Sequence, residues 1–304
     1  MKTPWTYYPL KAVLYLWSLL PLPVLYLQSR IVAFLLHRVI GYRKAIIQDN
    51  LRQAFPEKSP AEIDRIVRDF YHNFCDVFVE ILKQLSIGKA ALKRRVQFTN
   101  PEVLSEMTAH GGGGIAIFAH YANWEWNGSG MGLQLPFSTV GVYQTLSSPV
   151  FDRLVRHIRT RHGNDMITMQ QTFRESLKRL KSPCYIAFLG DQSPAPHGKM
   201  YYTPFLGRLA PVHLGIATIC LKMNVPLYYF DIRKVRQGHY RVTLHKVPHE
   251  DLNPKDKTSV YRLTNRHVRK LEEVIREAPA YWLWSHRRWK RQPKPGDIVN
   301  KGEI

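Results

Sequence analysis

The sequence predicts an α/β protein: a mixed sheet flanked by helices, with a hydrophobic helix at the N-terminus that anchors the chain to a membrane. Three observations lead there. Beyond residue 110, short apolar runs alternate with helical stretches, the pattern of a largely parallel or mixed sheet. Near the N-terminus, the stretch from Ala12 to Leu27 carries no charge. The 304 residues are 45% hydrophobic and 22% charged, the balance of a folded chain rather than a disordered or fibrous one. Lys and Arg number 44 against 23 Asp and Glu, a formal charge of +21. An excess of that size points to an anionic partner, and nucleic acid, anionic lipid, a phosphorylated substrate and an acidic carrier protein all qualify.

The first element is the anchor. Ala12 to Leu27 makes an apolar stretch of about 16 residues, just short of the ~20 that span a bilayer as a straight helix. Pro21 and Pro23 are expected to kink or break it, so half-insertion and a tilted span both fit. Trp5, Tyr7, Tyr8, Trp17 and Tyr26 flank or interrupt it as interfacial anchors do. No small-residue cleavage site follows, which argues against a signal peptide. Residues 30–44 continue as an amphipathic segment with Arg30, His37, Arg38, Arg43 and Lys44, whereas only Lys2 and Lys11 precede the apolar run. That asymmetry places the bulk of the protein in the cytoplasm. The alternative is that residues 12–40 form an ordinary core helix.

We divide the chain into an anchor with its amphipathic continuation, 1–44, and one α/β domain, 45–304. Residues 45–87 read as helical, with Ser59 as a cap, Pro60 in a first turn, and Phe70, Phe74, Val77, Phe78 and Ile81 at three- and four-residue steps. Gly88 ends that helix, and Lys89, Lys93, Arg94 and Arg95 form a basic connector, either a solvated loop or a phospholipid contact. Strands are predicted at Ile115–Ala119, Ser138–Val142, Cys184–Leu189 and Leu227–Ile232. Helices are expected near 150–161, 171–181, 211–223 and 258–277. Cys75, Cys184 and Cys220 are sparse, odd in number and without a CxxC pair, so they read as buried hydrophobes in a reducing compartment, with neither disulfides nor structural zinc.

Sites in open α/β sheets gather at the carboxyl ends of strands, and two predicted ends here are polar. The first is GGGGIAIFAHYANWEWNG, where His120 leaves an apolar strand and Glu125 follows with Asn123 and Trp124 between. The turn between them can bring imidazole and carboxylate within hydrogen-bond reach. That suits a general base, with Glu125 fixing the tautomer and stabilising the imidazolium. The same residues also fit a His satisfied by a backbone carbonyl and a Glu favoured by a helix dipole. The glycines lack the spacing of a nucleotide loop. The second end is CYIAFLGDQ, where Gly190 bends the chain before Asp191 and Gln192.

His-x4-Glu, written HYANWE, resembles the H-x4-D/E motif of the glycerolipid acyltransferase superfamily, and its NWE form is similar to the late acyltransferases of lipid A biosynthesis. The likeness continues through SPVFDRLVRHIRTRHG at 148–163, GDQSP at 190–194, TPFLGRLAPVHLGIA at 203–217 and YWLWSHRRWKRQP at 281–293. The resemblance implies a glycerolipid acyltransferase-like fold and transfer of a fatty acyl chain from acyl carrier protein to a hydroxyl of a lipid A precursor. It also implies a place on the cytoplasmic face of the inner membrane. His120 and Glu125 would be the catalytic pair. Arg159 and Arg161 would stabilise an oxyanion or hold acceptor phosphate, Asp191 and Gln192 would line the acceptor or position the pair, and Asn123 would help bind substrate.

The implied partners are acyl carrier protein, a phosphorylated glycolipid acceptor and the anionic inner membrane; nucleic acid, metal and cofactor are not expected. No acyl-enzyme is required, in keeping with the lack of a nucleophile elbow. Without the resemblance, the arginines read as helical surface charge and Asp191 and Gln192 as turn residues. The SPAPHGKM stretch is expected to loop over the site. Trp282, Trp284 and Trp289, interleaved with His286, Arg287, Arg288, Lys290 and Arg291, suit a membrane interface, nucleic acid or a packed terminal helix. Rival readings are an O-acyltransferase for another lipid, a hydrolase, and a basic binding protein without catalysis.

Overall fold

Prolines set the architecture of the N-terminus in the computed structural model, which describes residues 4–195 and 198–302. Helix α1 (Tyr7–Ser18) ends before Pro21, and α2 (Leu22–Phe34) begins after it with Pro23 in its first turn, where a missing N–H costs nothing. The prolines therefore separate two helices instead of kinking one. The helix continues through a π-helical stretch, Leu35–Ile40, and stops at Gly41, whose φ of +65° is left-handed. The long apolar helix is thus Leu22–Ile40, 19 residues with a mean hydropathy of 1.2, and not Ala12–Leu27 as the charge pattern suggested. One face of α2, with Leu25, Tyr26, Ser29 and Ala33, is buried. The other leaves Val24, Leu27, Ile31, Val32 and Phe34 exposed.

Two helices follow, α3 (Lys44–Ala54) and α4 (Pro60–Lys83). Ser59 caps α4 in a reciprocal box with Glu62, as its place before Pro60 predicts. Then comes α5 (Lys89–Arg95), so the basic connector is a short helix whose N-cap is Gly88, not a loop. The α/β body runs β1 (Val96–Phe98), α6 (Pro101–Ala109), β2 (Gly114–Phe118), α7 (Trp124–Gln134), β3 (Ser138–Tyr143), α8 (Pro149–Thr160), β4 (Asp165–Thr168) and α9 (Thr172–Arg179). It continues with β5 (Cys184–Leu189), β6 (Tyr201–Phe205), β7 (Arg208–Val212), α10 (Gly215–Met223), β8 (Leu227–Arg236), β9 (His239–Lys246), α11 (Lys257–Glu277) and β10 (Ile298–Val299).

Seven strands form a mixed sheet in the order β1-β9-β8-β2-β5-β3-β4, parallel throughout except for the β8–β9 hairpin. A second sheet, β10-β6-β7, replaces the start of the helix expected at 211. Pro211 lies inside β7, and α10 begins only at Gly215. The N-terminal helices pack onto the α/β body. Leu22, Leu25, Tyr26 and Ala33 belong to the same apolar core as β2, β5 and β8, and α2 hydrogen-bonds α4 through Tyr26–Glu80 at 2.7 Å and Ser29–Asp76 at 2.6 Å. Cys75, Cys184 and Cys220 are free and buried, and burial pushes the thiols of Cys75 and Cys220 up to about 12.

Candidate active site

The register of two parallel strands builds the site. Phe118 on β2 pairs with Leu189 on β5, so His120 and Asp191, each two residues past its strand end, emerge side by side. Gly190 donates to the Phe118 carbonyl at 3.1 Å. A Cβ at Gly190 would come within 2.8 Å of Ile117, so the close approach requires glycine. The result is a 2.8 Å contact between His120 Nδ1 and Asp191 Oδ1. Burial pushes the Asp191 carboxyl up, but the His120 charge and hydrogen bond and the Trp282 N–H outweigh it and hold the carboxyl below its ordinary range. An ionised carboxylate only accepts, so Nδ1 is the ring nitrogen that donates in this pair.

This corrects the partner expected for His120. The Glu125 carboxylate does not bond the imidazole; Arg159 takes it instead, through Nε at 2.9 Å and Nη2 at 2.5 Å, and Trp124 Nε1 adds a bond at 3.2 Å. The bidentate geometry explains why. Glu125 opens α7 and Arg159 closes α8, and a guanidinium fork outcompetes one ring nitrogen for a buried carboxylate. Burial raises the Glu125 carboxyl, yet Arg159 more than offsets it and the net shift is downward. Arg159 Nη1 makes no protein hydrogen bond among the described residues. The pair closes one side of a narrow apolar cavity of about 50 Å³, lined further by Phe118, Trp124, Met131, Val142 and Met166.

Two other expected site residues do structural work. Asn123 is fully buried with both ends of its amide engaged: Oδ1 caps α7 by accepting from the Trp126 N–H at 2.8 Å, and Nδ2 donates to Glu80 at 2.5 Å. Its burial and these two bonds give it a place in the packing of α7 against α4. Arg161 donates to the carbonyls of Gln84 and Ile87 at 3.2 and 2.6 Å, satisfying acceptors at and beyond the end of α4. Gln192 remains at the site, its amide nitrogen 3.5 and 3.4 Å from the two His120 ring nitrogens. Of the loop over 193–200, Pro196 and His197 lie outside the described residues.

The C-terminal tail takes the packed setting among those its sequence left open, though not as a helix. Trp282, Trp284, Arg288 and Trp289 are buried, not interfacial, and the segment is no helix. Trp282 pairs with Tyr121 in an antiparallel bridge, the Leu283 N–H donates to the His120 carbonyl at 3.1 Å, and the Ala122 N–H donates to the Tyr281 carbonyl at 2.9 Å. The tail thereby holds a turn in which Ala122 takes a φ of +48°. Trp282 Nε1 then donates to Asp191 Oδ2 at 2.9 Å, completing a chain Trp282–Asp191–His120. Its rings stack edge-on with Trp284, Trp289 and Phe205 at 4.7, 6.0 and 5.6 Å. A buried indole needs an acceptor, which is the one sequence signal that could have drawn Trp282 inward. Glu80 was missed too. It is fully buried on α4 and accepts from Tyr26, Asn123 and Tyr240, and burial raises its carboxyl.

Among the described residues, no three His, Cys, Asp or Glu side chains come together as a metal site. The site thus holds a carboxylate-bound imidazole and, beside an apolar cavity, a carboxylate-held arginine. Comparison with known proteins makes the class specific: the family model for bacterial lipid A biosynthesis acyltransferases matches residues 1–291, and the chain belongs to that family. It is similar to the lipid A biosynthesis lauroyltransferase of Escherichia coli (strain K12), 24% identical over 283 residues that cover 93% of this chain and 90% of that one. The palmitoleoyltransferase of the same strain is 23% identical over 92% of this chain and 90% of its own. The myristoyltransferase is 22% identical over 84% and 77%.

Proposed function

We propose that this acyltransferase moves a fatty acyl chain from the thioester of acyl carrier protein to a hydroxyl of a lipid A precursor, with His120 as general base. The observation that carries the reading is the His120 Nδ1–Asp191 contact, which leaves Nε2 as the basic atom. Nε2 takes the acceptor's hydroxyl proton as its oxygen attacks the thioester carbonyl. The C–S bond then breaks, and the departing thiolate recovers the proton from the imidazolium. Asp191 stabilises that imidazolium and keeps the ring oriented, while Trp282 fixes the carboxylate. Arg159, held by Glu125, directs Nη1 at the tetrahedral oxyanion. In this reading Glu125 positions the arginine rather than the histidine. No cofactor or metal enters.

The apolar cavity beside Arg159 would take the part of the acyl chain next to the thioester. Gly128 lines it, and a Cβ there meets nothing within 4 Å, so Gly128→Met should shift the preferred donor to shorter chains. The exposed apolar faces of α1 and α2 would seat the enzyme on the cytoplasmic face of the inner membrane. The test incubates detergent-solubilised protein, wild type and His120→Ala, with acyl carrier protein thioesters and a lipid A precursor, following product mass. A one-acyl gain that falls ~10²–10⁴-fold in the variant supports the reading. Equal gain in both removes His120 as base, and thioester loss without a mass gain makes the protein a hydrolase.

A further inference from the structure

Away from His120, a cleft of about 450 Å³ opens between α5, the β8–β9 turn and β9. Arg94, Arg95, Arg236 and Arg241 line it together with His239, and no carboxylate does. None of the four arginines forms an ion pair among the described residues; Arg95 bonds only the Gly238 carbonyl, at 3.1 Å, and Arg236 only His239, at 3.3 Å. Four guanidinium groups converging on one concavity repel one another unless an anion joins them, and their planar forks match phosphate.

The surroundings say what kind of anion. The cleft borders α2: the Tyr26 hydroxyl packs against Gly238 so closely that a Cβ there would come within 2.4 Å of it. On α2, Leu27 and Ile31 are exposed, and Val235, in the cleft wall, is 52% exposed. Exposed apolar side chains in the cleft wall and on neighbouring α2 suit an amphiphile, its headgroup among the arginines and its chains toward α2. An acidic protein would find a concave site with a greasy edge.

We propose that this cleft binds the phosphate headgroup of an anionic lipid of the leaflet in which α1 and α2 lie. The proposal rests on the membrane seating suggested above and is independent of the acyl transfer. None of the cleft's lining residues lines the cavity beside Glu125.

The test titrates the full chain with vesicles of phosphatidylcholine alone and with vesicles of phosphatidylcholine and phosphatidylglycerol in equal parts, reading co-flotation. The variant is Arg94→Gln/Arg236→Gln/Arg241→Gln. The control is Arg174→Gln/Lys178→Gln/Lys181→Gln near the opposite edge of the sheet, which removes the same charge from exposed positions. Wild type should prefer the anionic vesicles, and the cleft variant should lose about fivefold in that preference per arginine removed. The control should lose clearly less. Equal losses in cleft and control variants would overturn the proposal in favour of diffuse charge. Wild type that binds both vesicles alike sinks the cleft but spares the membrane reading; wild type that binds neither sinks the seating itself. Unchanged vesicle binding with a raised KM for acyl carrier protein would reassign the cleft to the carrier. Inorganic phosphate that abolishes the anionic preference at stoichiometric amounts would make it a free-phosphate site.

Discussion

Both ends of the chain carry tryptophans among apolar and basic residues, and the fold treats the two ends oppositely. Trp5 and Trp17 stand 80% and 45% exposed, whereas Trp282 and Trp284 are 2% and 0% exposed. Their polar handles tell the same story. The Trp17 indole donates to Gln28 on the neighbouring helix at the surface, but Trp282 donates to the Asp191 carboxylate and Trp284 to the Pro279 carbonyl. Composition does not decide whether an aromatic, basic segment faces a membrane or a core. The available acceptors do: the tail meets the Asp191 carboxylate and the His120 carbonyl at the ends of β2 and β5.

The comparison breaks most visibly through Asp191. Asp191→Asn keeps an acceptor for Trp282 but loses the charge that holds the His120 tautomer, so kcat should fall ~10²–10⁴-fold with the circular dichroism spectrum intact. Near-normal turnover would disconnect the tail from the chemistry. Trp284→Ala should destabilise the detergent-solubilised protein by ~3–5 kcal/mol in denaturant titration, the cost of emptying a packed aromatic site. A small change would mean that the tail is not core.

A smaller effect should appear with pH. Burial lowers His162 and His267 to about 4, so between about pH 6.5 and 4 the unfolded chain binds protons that the native state refuses. Stability is therefore lost as pH falls through that window, and Tm measured across it should drop; the double variant His162→Gln/His267→Gln should flatten the slope. Smallest of all, Trp17→Ala should change folding stability by no more than ~0.5 kcal/mol while weakening partition onto vesicles. A large loss of stability would show that the N-terminal end is as deeply packed as the tail.

What was legible in the sequence follows periodicity and local chemistry. The four predicted strands and the Ser59 cap appear where apolar runs and turn residues put them. The short strands β1, β4 and β10 were not legible, because edge strands of two to four residues carry too little alternation. His120 and the GDQ turn stood out as polar strand ends. Which carboxylate reaches the imidazole did not, because it depends on the register of β2 against β5, between residues some 70 apart. Likewise nothing local tells Arg159, which meets Glu125, from Arg161, which meets the end of α4; one turns inward on α8 and the other follows it.

The bridge between Tyr121 and Trp282 has a further meaning in time. Synthesis runs from the N-terminus, so α1 and α2 leave the ribosome while residues 279–291 are still unmade. His120 then lacks the strand that holds its turn, and Asp191 lacks its indole partner. A chain that stops short of Trp282 therefore carries the N-terminal helices and His120 without the strand and the indole that hold the site together.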